Sequence, residues 1–164
     1  MFIRLFVGWA LRLVAAAALA VDAFVHADLV DMYAPYARFQ SGISQADLFR
    51  IEAAVASLAA LLILLAANRL VWALVFVVSA SALAAVMISR YFDIGAIGPI
   101  PDMYEPAWYP EKVLTAVAEA VAVGVAVIGF LVVPRLRRTS RGAPAPVATQ
   151  QVESTRPTPA SRRP

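Results

Sequence analysis

The sequence predicts an all-α integral membrane protein: a four-helix bundle of membrane spans followed by a disordered C-terminal tail. Three observations carry the prediction. Of the 164 residues, 62% are hydrophobic and 15% charged, against about half and about a quarter in a water-soluble domain. The apolar residues fall in four long runs, and a helix rising about 1.5 Å per residue needs about 20 of them to cross a hydrocarbon layer about 30 Å thick. From Pro134 onward the chain turns to Arg, Pro, Ser, Thr and Ala, which bury too little apolar surface to offset the entropy of ordering.

The first span is expected over residues 13–30, preceded by Arg4 and Arg12, whose long side chains can reach the interface. A rival reading takes this basic start, with Ala18-Leu19-Ala20 as the cleavage site, for a signal peptide of about 20 residues, leaving three spans. The apolar pattern continues through Val21 and Val25 and favours the span. The second span, residues 44–67, opens on Ser44 and Asp47, a helix-start pattern in which side chains satisfy orphan backbone donors. The third, residues 70–89, follows after only Asn68 and Arg69, so the pair must be an antiparallel hairpin. The fourth, residues 111–133, is entered through Pro110 at a first-turn position and is expected to end at Pro134. Residues 1–133 then form one membrane domain, and residues 134–164 a basic, proline-rich tail.

Orientation follows from the basic residues. Arg4, Arg12, Arg69, Arg135, Arg137, Arg138, Arg141, Arg156, Arg162 and Arg163 share one side of a four-span layout, with Glu153 as its acid. That side is expected to be cytoplasmic, with both termini there, in a multi-pass protein of the cell membrane. The opposite loops hold Asp28, Asp31, Asp47, Asp93, Asp102, Glu105 and Glu111 against Arg38, Arg50, Arg90 and Lys112 and are expected outside. The cluster Arg135, Arg137, Arg138 and Arg141 fixes topology and should attract anionic lipids, at about 1 kcal/mol per basic residue. The net charge of +3 arises from these segments and does not imply a nucleic-acid partner. The absence of cysteine excludes disulfides, thiolate metal sites and a thiol nucleophile.

Ionisable residues inside a membrane cost about 2.5 to 3.5 kcal/mol on insertion scales and usually face a bundle interior or a wet cavity. Asp22, Glu52 and Glu119 qualify, as does His26, one turn after Asp22 on the same helical face, where the two can hydrogen-bond. Arg90 stands at the outer end of the third span. All five fall in the outer half of the bilayer, so inward-facing helices would gather Asp22, His26, Glu52, Arg90 and Glu119 into one outward-opening pocket. A polar small molecule, a quinone head group or a proton would suit it. The competing reading is structural pairing, with Glu52 on Arg50 or Arg90, Asp22 orienting His26, and Glu119 held by Ser79, Ser81 or Ser89. No metal is expected, since one histidine with nearby carboxylates is a poor transition-metal set.

The second outer loop, residues 98–110, combines four prolines with Tyr104, Trp108 and Tyr109. It is stiff in backbone and amphipathic in side chain, either an interfacial aromatic belt or a lid over the pocket. Its Asp102-Met103-Tyr104-Glu105-Pro106 echoes Asp31-Met32-Tyr33-Ala34-Pro35 at an offset of 71, which also brings Asp22 onto Asp93. The echo hints at two duplicated hairpins. Small residues are dense in every span, including Ala120 and Gly124, and permit close helix approach within the bundle or to a membrane partner or second copy.

Four closely spaced spans, a basic-led first helix and acidic outer loops resemble the DoxX-like group of small bacterial membrane proteins over residues 5–133. The resemblance rests on layout. It implies a four-helix bundle and, for some relatives, association with membrane redox chemistry involving quinones or sulfur compounds; no catalytic residue is carried over. Two functions are therefore expected to compete. One is a non-enzymatic accessory or binding protein built around the polar pocket. The other is a quinone- or proton-linked redox component in which His26 and Asp22 handle a proton.

Overall fold

A computed structural model describes residues 2–39 and 42–141, without the side chains of residues 4, 38, 39 and 133–141. Four helices, α1 (Phe2–Tyr33), α2 (Gln45–Leu65), α3 (Arg69–Tyr91) and α4 (Pro110–Arg141), form the bundle, with a 3-10 helix (Ala34–Phe39) continuing α1. All four are long and apolar enough to cross a membrane. Each helix packs on its neighbours in cyclic order: α1 on α2, α2 on α3, α3 on α4, and α4 back on α1. The short link between α2 and α3 dictates that this pair is antiparallel.

Helix boundaries follow local chemistry. Ser44 caps α2: its hydroxyl accepts from the Asp47 backbone N–H at 3.2 Å, while the Asp47 carboxylate accepts from the Ser44 backbone N–H at 3.2 Å. This is the expected helix start, one residue inside the predicted bound. Asn68 caps α3 by accepting from the Val71 backbone N–H at 3.0 Å, so the tight link itself begins the next helix. At the same end of the bundle, the Arg12 guanidinium on α1 donates to the Leu64 carbonyl at 3.4 Å, covering an orphan acceptor in the last turn of α2.

Two spans exceed their expected limits by more than a turn. α1 begins at Phe2 rather than near residue 13, because Arg4 and Arg12 interrupt an apolar count without interrupting a helix. α4 does not stop at Pro134 but runs to Arg141; a proline deletes one ladder hydrogen bond and bends a helix without always ending it. The first eight residues of the expected tail, with Arg135, Arg137, Arg138 and Arg141, are thus helical in backbone, and residues 142–164 of that tail lie outside the described residues. The DMY echo does not mark equivalent structures either. Asp31–Tyr33 ends α1, whereas Asp102–Tyr104 is non-helical loop, and Asp22 is buried in a helix while Asp93 is exposed.

The interior is assembled from small side chains. Ala15, Ala16, Ala18, Ala56, Ala59, Ala122 and Ala126 are buried around Leu19, Ile63, Trp72 and Val75, while Phe6, Trp9, Phe24, Leu58, Leu65, Leu70 and Val77 face outward. Lipid supplies no hydrophobic drive to bring helices together, so close approach over small residues does. Gly129 is the extreme case: a methyl group there would lie 2.5 Å from the Trp72 ring. The Ala120 and Gly124 pair instead faces outward, with nothing near an added methyl at Gly124.

Candidate functional site

The polar residues collect at the end of the bundle that carries the long loop. Asp22 and His26 are one turn apart on α1, and the His26 Nδ1 lies 3.0 Å from the Asp22 carboxylate and 3.0 Å from its peptide oxygen. From α4, the Thr115 hydroxyl donates to Asp22 Oδ1 at 2.7 Å and lies 3.3 Å from Glu119 Oε1. All four side chains are buried, Asp22 and Glu119 at 1% exposure. Helical periodicity explains the alignment, since residues 22 and 26 share a face of α1 and residues 115 and 119 share one of α4.

Beside this cluster lies a cavity of about 370 Å³ walled by α1, α2, α3, the start of α4 and the loop. His26, Glu52 and Thr115 give its polar floor, and Leu48, Phe49 and Ala85 are among its apolar walls. Glu52 is close enough to Asp22 and His26 to interact electrostatically with both, and its buried Oε1 has no hydrogen-bond partner among the described residues. Phe49 links the wall aromatics, with ring centroids 5.7 Å from His26 and 5.2 Å, edge-on, from Tyr33.

Four of the five expected pocket residues therefore meet: His26 and Glu52 on the cavity, Asp22 and Glu119 directly behind. Arg90 does not join them. Its guanidinium lies 5.0 Å above the Tyr91 ring and 5.9 Å from that of Trp108. The cavity face of α3 is Ser81, Ala82, Ala85, Val86 and Ser89, and the residue after Ser89 is rotated about a quarter-turn away. The cation at the cavity is Lys112, buried on α4, whose Nζ donates to the Glu105 carbonyl at 2.6 Å.

The loop covers the cavity, with Tyr109 alone of the expected Tyr104, Trp108 and Tyr109 lining it. Ile100, Met103, Glu105 and Tyr109 line it. Tyr104 is 42% exposed, and Trp108 lines a separate apolar groove with Leu83, Met87 and Ala120. Burial, then the neighbouring Tyr33 hydroxyl and the Glu105 and Glu111 charges, push the Tyr109 phenol up from its ordinary pKa, so it remains a hydrogen-bond donor. Backbone bonds hold the cover in place: Ile43 donates to Pro99 at 3.1 Å and Glu105 to Ser89 at 2.8 Å. Gly42, at a φ of 96° that favours glycine, lets the backbone lie directly against Pro99.

Thr115 and Lys112 were not singled out by the sequence. A threonine and a lysine near a helix start are common, and only the phase of α4 relative to Glu119 could have flagged them. No family model, curated protein or solved structure matches this chain. Fold and site together define a four-helix membrane protein with a loop-covered, mixed-polarity cavity at one end.

Proposed function

We propose that this is a small cell-membrane binding protein that holds one small molecule, apolar in body and polar at one end, beneath its long loop. The cavity carries the reading: about 370 Å³ is within the range of small-molecule sites, which are mostly apolar with a few convergent polar groups. Phe49, Leu48 and Ala85 would contact the body, and His26, Glu52, Lys112 and the Tyr109 hydroxyl its polar end. The loop end would face outward and both termini the cytoplasm, a reading supported by the distribution of arginine. Membership of the DoxX-like group belongs to the same proposal, supported by the four-helix layout, as does an accessory role beside a membrane partner or second copy. Lipid recognition by Arg135, Arg137, Arg138 and Arg141 is a further part of it, resting on their charge and place after the fourth span.

Native mass spectrometry of the protein extracted gently from its own membrane is the test. A defined small molecule retained by the wild type and lost from Phe49→Trp, which fills the cavity, is expected. Empty protein, or equal retention by both, would remove the reading.

A second reading is favoured by a different observation, the continuous His26, Asp22, Thr115 and Glu119 contacts. Such a chain can carry a proton, as a quinone-linked redox component would require. Quinone in lipid-free protein, with an electron-transfer defect in a deletion strain, would support it. The absence of both would exclude it.

A further inference from the structure

Asp22, His26 and Glu119 have a property that neither the cavity nor the proton chain uses. One ligand atom from each lies within 4.8 Å of the other two, and all three residues are buried. Metal bonds of about 2.1 Å hold the donors of one ion roughly 3 to 4 Å apart, so modest side-chain rotation would close this triangle. We infer that Asp22, His26 and Glu119 form a binding site for one divalent first-row transition-metal ion.

A separate observation points to a missing ligand. The second oxygens, Asp22 Oδ2 and Glu119 Oε2, are buried and have no hydrogen-bond partner among the described residues. Unmade bonds of this kind are expensive, more so for a charged group. Among the described residues neither carboxylate is paired with a lysine or arginine, and the ion-pair contact of Asp22 is with His26. A divalent cation would occupy the orphan oxygens and cancel both negative charges, leaving a neutral cluster in a medium that penalises net charge.

The donor set narrows the ion. Two carboxylates and an imidazole form a mixed oxygen and nitrogen site, suited to Mn²⁺, Fe²⁺ or Zn²⁺; Ca²⁺ and Mg²⁺ prefer all-oxygen shells and Cu⁺ prefers sulfur. Thr115 stands between the two carboxylates, where a hydroxyl orients ligands from outside the coordination shell. Three protein ligands leave at least one position open. Of the three, His26 also lines the cavity. The expectation of no metal rested on a lone histidine with nearby carboxylates; it did not foresee that the packing of α4 on α1 brings ligand atoms of Asp22, His26 and Glu119 within 4.8 Å of one another.

The experiment uses the full chain, purified on a histidine-free tag, stripped with chelator and dialysed against Mn²⁺ or Zn²⁺. One ion per chain by elemental analysis is expected, with an electron paramagnetic resonance spectrum for Mn²⁺ distinct from that of the hydrated ion. Glu119→Gln and Asp22→Asn should weaken binding by at least about tenfold, while Asp93→Asn in the exposed loop should bind as the wild type does. Sub-stoichiometric binding by the wild type, or equal binding by Glu119→Gln, overturns the site and leaves a shared proton to neutralise the pair. Should the carboxamide variants not assemble, the wild type decides alone: a spectrum unchanged from hydrated Mn²⁺, with no rise in melting temperature on adding Zn²⁺, overturns it equally. None of these readouts involves the molecule held in the cavity, so this site and the binding reading stand or fall separately.

Discussion

The Thr115 hydroxyl on α4 donates a 2.7 Å hydrogen bond to Asp22 Oδ1 on α1, joining buried groups 93 residues apart in the chain. Thr115→Val keeps the shape and removes the donor. Interhelical hydrogen bonds in membranes average about 0.6 kcal/mol and reach about 1.7, and a carboxylate acceptor places this one toward the upper value. Thermal unfolding in detergent should show Thr115→Val less stable by about 1 to 2 kcal/mol, with Thr115→Ser close to wild type. Equal melting of all three would mean that the contact contributes nothing.

Gly129 and Gly124 lie five residues apart on α4 but meet opposite surroundings. A methyl at Gly129 would strike the Trp72 ring, whereas one at Gly124 meets nothing within 4 Å. Gly129→Ala should destabilise by about 1 to 3 kcal/mol through overpacking. Gly124→Ala should be neutral or stabilising by up to about 1 kcal/mol through helix propensity. The same melting assay compares them, and a reversed order would contradict the packing described for Trp72.

Asn68 carries the start of α3 with one side-chain hydrogen bond. Its replacement by alanine should cost about 1 kcal/mol, and Asn68→Asp should retain most of the stability. Faster amide exchange confined to the first turn of α3 would locate the loss. An unchanged exchange pattern in the alanine variant would show that the cap is dispensable.

Lys112 tethers the loop through the Glu105 carbonyl. Lys112→Met preserves the length of the side chain and removes the charged donor. Amide exchange at residues 104–107 should quicken by roughly tenfold or more, the size of effect expected when such a bond is lost, while α2 and α3 exchange as before. Exchange unaltered in the loop would show that its backbone bonds suffice.

The chain has no cysteine, so single introduced thiols report orientation without background. Asp93→Cys should react with a membrane-impermeant maleimide in intact cells, and Arg69→Cys only after permeabilisation. The opposite pattern would invert the topology proposed from the arginine distribution.

Number and order of the helices were legible because apolar length is a strong signal, and the antiparallel course of α2 and α3 because the link between them is short. The start of α2 was legible because Ser44 and Asp47 act locally, and so was the Asp22 and His26 pair, at a spacing one helix fixes alone. The ends of α1 and α4 were not. The apolar count measures how much of a helix lies in lipid, and neither Arg12 nor Pro134 halts the backbone. The exchange of Arg90 for Lys112 turns on one residue of helical phase, and the role of Thr115 depends on which helix lies opposite. Neither quantity is written in a local stretch of sequence.

The alanine-lined interior with bulky side chains turned outward sets how this molecule tolerates change. Enlarging an inward alanine pushes two backbones apart, since the side chains around it, Leu19, Ile63, Trp72 and Val75 among them, are already fully packed. Exchanging one outward leucine, valine or phenylalanine for another alters only which lipid tail lies beside it. Random substitution should therefore be accepted freely around the circumference and rejected along the axis, and the large side chains that face outward should be far more replaceable than the buried Trp72.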